Sequence, residues 1–257
     1  MTDPNTLTLV LLALFGLAGG IGITALGPGG VLPTIGLFAL TGLGPAEVAG
    51  TAIVTHIATG ALATAAYTRS GQLREPATRR TALILAGTAV IGTPLGVLIN
   101  TMVSKGAFGL VLGACAALVA VLVWYRERHG DGDDNGAARH PAAPWIAVLG
   151  FAVAAASGIV GIGGPMLTVP LLVAAGVPML ESLAAAQAQS VVIASIGTLG
   201  YVAHGAVDWR LAALVGVPEI AGVLIGWKIA RALPTRTLKY ALVAALLAVA
   251  PYLALHG

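Results

Sequence analysis

Gly27-Pro28-Gly29-Gly30 and Gly161-Ile162-Gly163-Gly164 stand 134 positions apart, each inside an apolar stretch that would otherwise read as one helix. In hydrocarbon, irregular backbone is tolerated only where protein buries it or where it lines a polar cavity. A single break of this kind has a plain alternative, since glycines also let helices kink and pack. Two breaks at matching points of two halves are the sequence pointer to a transporter's binding site.

Working outward from the breaks, the halves align without a gap from about Ala13 to Gly71. Gly16 meets Gly150, Thr34 meets Thr168, Glu47 meets Glu181, Thr64 meets Thr198, Tyr67 meets Tyr201 and Gly71 meets Gly205. After a four-residue shift, Gly92-x-x-x-Gly96 meets Gly222-x-x-x-Gly226, a spacing that lets membrane helices approach closely. The apolar segments run at about 7–26, 30–43, 46–67, 81–103 and 106–125, then 145–162, 165–177, 182–203, 211–230 and 237–255. The second of each set is too short for an untilted span. It suits a half-helix or one arm of a re-entrant hairpin.

Composition fixes the solvent. Of 257 residues, 58% are apolar and 9% charged, with a mean hydropathy of +0.95. Soluble domains carry about 25% charged residues. The chain therefore reads as an all-α, multi-pass integral membrane protein with lipid as its surroundings. Its first residues lack the basic start of a signal peptide, so the first apolar run is expected to stay. The pI near 9.3 does not point to nucleic acid, because the basic residues are scattered between apolar segments. Cys115 is the only cysteine, which excludes a disulfide frame within the chain. Nothing matches a Walker loop, a Rossmann fingerprint or a zinc helix. No cofactor or metal is expected, and the chain reads as a carrier, not an enzyme.

Charge orients the halves. With the loop of Arg69, Arg74, Arg79 and Arg80 inside, an odd number of crossings per half puts 11 basic residues inside and only Lys105 and Arg210 outside. An even number weakens the split to 8 and 5. The expectation is two inverted-topology repeats, residues 1–125 and 145–257, joined by a polar cytoplasmic linker at 126–144, with both termini outside. Each repeat holds a Gly-broken half-helix or re-entrant hairpin plus three full spans.

The breaks have a chemistry of their own. A helix that starts after such a turn leaves its first amides unpaired and presents a partial positive charge. That is an anion site without a basic side chain. Gly29, Gly30, Gly163 and Gly164 are the expected amide donors. The third segments supply polar side chains: Thr51 and Thr55 on one helix face, Gln187 and Gln189 at the equivalent place, with Ser190 aligned to His56. The bland alternative for each threonine is back-bonding to its own helix. Two ionisable groups fall within spans, His56 and Glu219. Such groups are rare in membranes and commonly functional, so either is expected to carry a coupled proton. Their structural alternatives are a packed neutral imidazole and a carboxyl satisfying amides near Pro218. Glu47 and Glu181 open their segments and read as helix N-terminal carboxylates. Trp145, Trp209 and Trp227 read as interfacial anchors.

At these residues the chain resembles the TauE/SafE family of sulfite-exporter-like membrane proteins. Gly158, Gly161, Gly163-Gly164 and Pro170-Leu171 sit as in that family's Gly-rich stretch and the Pro-Leu after it, and Gly27, Gly29-Gly30 and Gly50-Thr51 follow its first-half pattern. The resemblance spans nearly all of the chain outside the linker. Departures are Gly36, where the second half has Pro170, and the Ala184–Ser190 run, which blurs the family's Thr-Ser pair. The resemblance implies export of a small sulfur-containing oxyanion or organosulfonate. A passive anion channel, an importer of organic anions and an intramembrane enzyme are the other readings, the last needing His56 and Glu219 side by side. The oligomeric state is open.

Overall fold

The computed structural model describes residues 5–25, 27–129 and 141–232, with side chains of 122–129 and 229–232 outside that description. The described residues form helices and no strands: α1 (Thr6–Ala25), a 3₁₀ turn (Pro28–Gly30), α2 (Val31–Leu40), α3 (Pro45–Arg69), a second 3₁₀ turn (Gln72–Arg74), α4 (Pro76–Asn100), α5 (Lys105–His129), α6 (Ala143–Val160), α7 (Pro165–Ala174), α8 (Met179–Ala203) and α9 (Trp209–Ala232). Six of them, α1, α3, α4, α6, α8 and α9, are long and apolar enough to cross a membrane. The short second segments become α2 and α7, ten residues each. Helix α5 continues past Arg126 to His129, into the stretch read as linker. The tenth apolar segment, 237–255, lies outside the described residues.

Helix starts follow local chemistry. Pro45, Pro76 and Pro165 sit where a missing N–H does no harm. Gly44 N–H donates to Glu47 Oε2 at 2.8 Å, and Thr78 Oγ1 donates to Glu181 Oε2 at 2.9 Å. Both glutamates thus act in first turns. Asp208 Oδ1 accepts from the amides of Arg210 and Leu211 and so caps α9.

Close helix pairs hold the bundle together. Helix α1 packs along α9, and α4 along α6, more extensively than any other pair. Glycines allow both contacts. A Cβ on Gly16 or Gly20 would collide with the backbone of Val215 or Glu219, and one on Gly222 or Gly226 with Leu17 or Ile21. On the other side, Gly92 and Gly96 abut the backbone around Phe151 and Ala155, and Gly158 abuts Thr93. In both pairs the contacts advance together along the two chains, so the partners run parallel.

Helices α3 and α8 run antiparallel through the centre. Asp208, just beyond the end of α8, donates its N–H to Thr51 near the start of α3. Tyr67, near the end of α3, clusters with Leu183 and Ala184 near the start of α8. Helix α9 therefore begins at the end where α3 begins, and α1, parallel to α9, begins there too. The chain leaves that end in α1, turns at the first break and returns in α2. This is a broken hairpin that brings the break into the interior.

Candidate functional site

Both breaks share a left-handed glycine: Gly27 has φ 98° and Gly161 φ 72°, a region that L side chains rarely adopt. Gly161 is wedged against the backbone of Ala49 on α3, and its carbonyl accepts from Thr34 Oγ1 at 3.2 Å. Gly27 faces Val169 on α7. Each break is thus clamped by the opposite half of the chain. No side chain caps the helix that follows either one. The first amide of α2, Val31 N–H, is taken up by Gly29 O in the 3₁₀ turn, and α7 opens on Pro165, which has no amide; the dipole still places partial positive charge at both ends.

His56 stands between the two breaks. A Cβ on Gly30 would lie 3.4 Å from His56 Cε1 and 3.7 Å from Nε2, and one on Gly163 would lie 3.6 Å from Cγ. The imidazole is fully buried, as is Glu219, and Nδ1 lies 3.1 Å from Glu219 Oε1. That is ion-pair distance without hydrogen-bond alignment, and neither carboxylate oxygen nor ring nitrogen has an aligned partner. The separation that would have removed a catalytic pair is therefore not there.

The remaining expected site residues divide. Gly164 sits with the second break, where a Cβ would lie 3.2 Å from Gln189 Oε1. Gln189 is fully engaged: Oε1 accepts from Thr168 Oγ1 at 2.6 Å and Nε2 donates to Gly150 O at 3.1 Å. Gln187 donates from Nε2 to Ile23 O at 3.1 Å, beside the first break, and its Oε1 has no partner. A Cβ on Gly29 would collide with the backbone of Gly22 and Ile23 on α1. Thr55 donates to Ala52 O at 2.8 Å and packs its methyl toward Gly216, so its hydroxyl is spent on its own helix. Thr51 is held by Asp208 N–H, below a cleft of about 490 Å³ lined by Leu43, Glu47, Gly205, Val207, Asp208, Trp209 and Arg210. The structure gathers Gly30, Gly163, Gly164, His56, Glu219 and Gln189, places Gln187 at their edge, and sets Thr51 and Thr55 apart.

One residue belongs with this group that was not expected there. Ser190 is fully buried, its Oγ lies 3.0 Å from where a Cβ on Gly163 would be, and no group bonds it. Its signal was present in the repeat, since Ser190 is the position equivalent to His56. A buried hydroxyl without a partner is costly, and here it points to the second break.

The protein-family model described as "Sulfite exporter TauE/SafE" matches residues 12–253. The chain belongs to the TauE/SafE family. That places it among membrane transporters of sulfite-like anions. No curated protein and no solved structure matches the chain.

Proposed function

We propose that the protein is a secondary carrier that exports a small sulfur-containing monoanion, such as hydrogensulfite or an organosulfonate, across the bacterial inner membrane. The observation that carries this reading is the meeting of two uncapped helix N-termini around His56. Backbone amides of Gly30, Gly163 and Gly164 hold the anion, with Ser190 and Gln187 at its edge. Proton coupling falls to His56 and Glu219.

The two halves are inverted repeats, residues 1–125 and 145–257 joined through 126–144, and both termini lie outside. Equivalent helices running in opposite directions support this, as α3 and α8 do. So does the way α1–α9 and α4–α6 repeat one glycine-lined contact. Alternating access then consists of one repeat rocking against the other around a fixed site. The full burial of His56, Ser190 and Glu219 favours an occluded carrier over a channel with a continuous wet pore.

The test is flux in proteoliposomes with sulfite, thiosulfate, sulfate, sulfoacetate and a carboxylate, with and without a pH gradient. Saturable flux of sulfite, carried as hydrogensulfite, is expected, above that of the dianions thiosulfate, sulfate and sulfoacetate. No flux of any anion would sink the reading, and conductance far above carrier turnover would replace it with a channel.

A further inference from the structure

We propose that His56 and Glu219 share one proton, and that the breaks accept an anion only while that proton is present. This rests on the anion-carrier reading above and adds what gates the site and which charge class it takes.

The pair is electrically isolated. Helices α1, α2, α6 and α7 bring no charged or His side chain to it. On α3, Glu47 and Arg69 lie in the end turns. On α9, Arg210 opens the helix and Lys228 lies toward its far end. Glu181 of α8 is bonded by Thr78 in the first turn, and Arg79 and Arg80 lie in the opening turns of α4. Tyr67 and Tyr201 donate their hydroxyls to the carbonyls of Thr24 and Gly158. The balance at the centre is thus between the pair and the two helix ends.

Each helix N-terminus is equivalent to about half an elementary positive charge. With no proton on the pair, the carboxylate of Glu219 already offsets both ends. An anion added then leaves a surplus negative charge in the membrane interior, which buried sites do not carry. With one proton the pair is neutral, whether as imidazolium and carboxylate or as imidazole and carboxylic acid. The two ends then face room for a single negative charge. Empty without the proton and loaded with it are the two balanced states.

The proton also changes what His56 offers. As imidazolium both ring nitrogens donate, so Nε2 turns from acceptor to donor toward the first break. It is fully buried and without a partner on that side, as is Ser190 Oγ on the other. Those two unpartnered groups, not the helix ends alone, mark a ligand position. The occupant is a monoanion with acceptor oxygens on at least two sides, and a dianion such as sulfate exceeds the available charge. No covalent bond forms: one proton from water and one anion enter together.

The experiment uses methanesulfonate, whose own charge does not change with pH. Its binding to the full-length protein in nanodiscs is followed by calorimetry between about pH 6 and pH 9, in buffers of different ionisation heat. Proton uptake should rise to about one per anion on the alkaline side, where affinity should fall up to about tenfold per pH unit. Sulfate should not compete. Glu219→Gln removes the charge that needs offsetting, so it should keep binding at alkaline pH without proton uptake. Wild-type binding with no proton uptake, or sulfate binding as well as methanesulfonate, overturns the proposal and leaves the carrier intact. Absence of anion binding at every pH overturns the carrier reading itself. The wild-type proton count decides the matter even if the variant fails to fold.

Discussion

At the first break, Gly29 is pressed onto the backbone of α1, a Cβ on Gly27 would meet the side chain of Val169, and the charge-bearing neighbour is His56. At the second, Gly161 is jammed under the backbone of Ala49, Gly163 meets the hydroxyl of Ser190 and the other side of His56, and Gly164 meets the amide of Gln189. The backbone turn has been kept twice while its lining has diverged. A symmetric scaffold can thus set one titratable side chain, His56, between both turns and add neutral groups, Ser190 and Gln189, at the second alone. The lining, not the turn, is where selectivity was free to change.

The largest expected effect comes from testing how the two turns are clamped. Gly161→Ala forces an L residue to positive φ, about 1–2 kcal/mol, and drives a methyl into main chain that cannot move aside, about 1–3 kcal/mol or more. Gly27→Ala carries more backbone strain, since its ψ of −54° lies outside the αL well that Gly161 occupies, but Val169 can shift its side chain. Thermal unfolding in detergent should show Gly161→Ala as the more damaged protein, with reduced yield, because the collision with main chain outweighs the extra dihedral strain at Gly27. Equal damage would mean that the clamp by α3 contributes little.

The second test separates turn from lining. Gly30→Ala and Gly163→Ala place a methyl against side-chain atoms at 3.1 and 3.0 Å, where small shifts suffice. Stability should change by less than about 1 kcal/mol. Transport should fall by on the order of tenfold or more, because the methyl occupies the space beside His56. Gly29→Ala should do the reverse of this pattern, damaging the fold first.

These contrasts show which parts were readable from sequence. The repeat, the breaks and the short helices after them follow from hydropathy and glycine spacing, which local chemistry dictates. The approach of α1 to α9 was half visible, in Gly222-x-x-x-Gly226, but its partner was not, because spacing names a face and not what it meets. The threonine stripe at Thr51, Thr55 and Thr59 has the same periodicity whether its hydroxyls face a ligand or their own helix. Only coordinates show Thr55 bonding Ala52 and Thr59 bonding Thr55. Likewise His56 and Glu219 were separate candidates until the fold crossed α3 with α9. Ser190 was hidden because serine is common in membrane helices, and only its equivalence to His56 set it apart.

A smaller effect is expected where the lining differs by one hydroxyl. Ser190→Ala should weaken anion affinity by about ten- to a hundredfold, the range of one hydrogen bond to a charged group, about 1.5–3 kcal/mol. Thr55→Ala should leave affinity within about twofold, since its hydroxyl bonds only its own helix. Equilibrium binding of methanesulfonate to both variants distinguishes them. Loss in Thr55→Ala with none in Ser190→Ala would move the anion away from the second break.

The smallest expected effect tests the halves at their edges. Tyr67 and Tyr201 are repeat equivalents, and each donates its hydroxyl to an equivalent carbonyl, Thr24 O at 3.4 Å and Gly158 O at 2.5 Å. Both carbonyls lie in the last turns of α1 and α6, just before the breaks, where a helix end leaves oxygens without intrahelical donors. The shorter bond holds the tighter turn. Tyr201→Phe should therefore cost about 1 kcal/mol, and Tyr67→Phe only a few tenths. Thermal unfolding of the two variants side by side reads the difference. If Tyr67→Phe proves the costlier, the first break relies on its tyrosine more than the geometry implies, and the asymmetry between the two turns lies in their anchoring as well as in their lining.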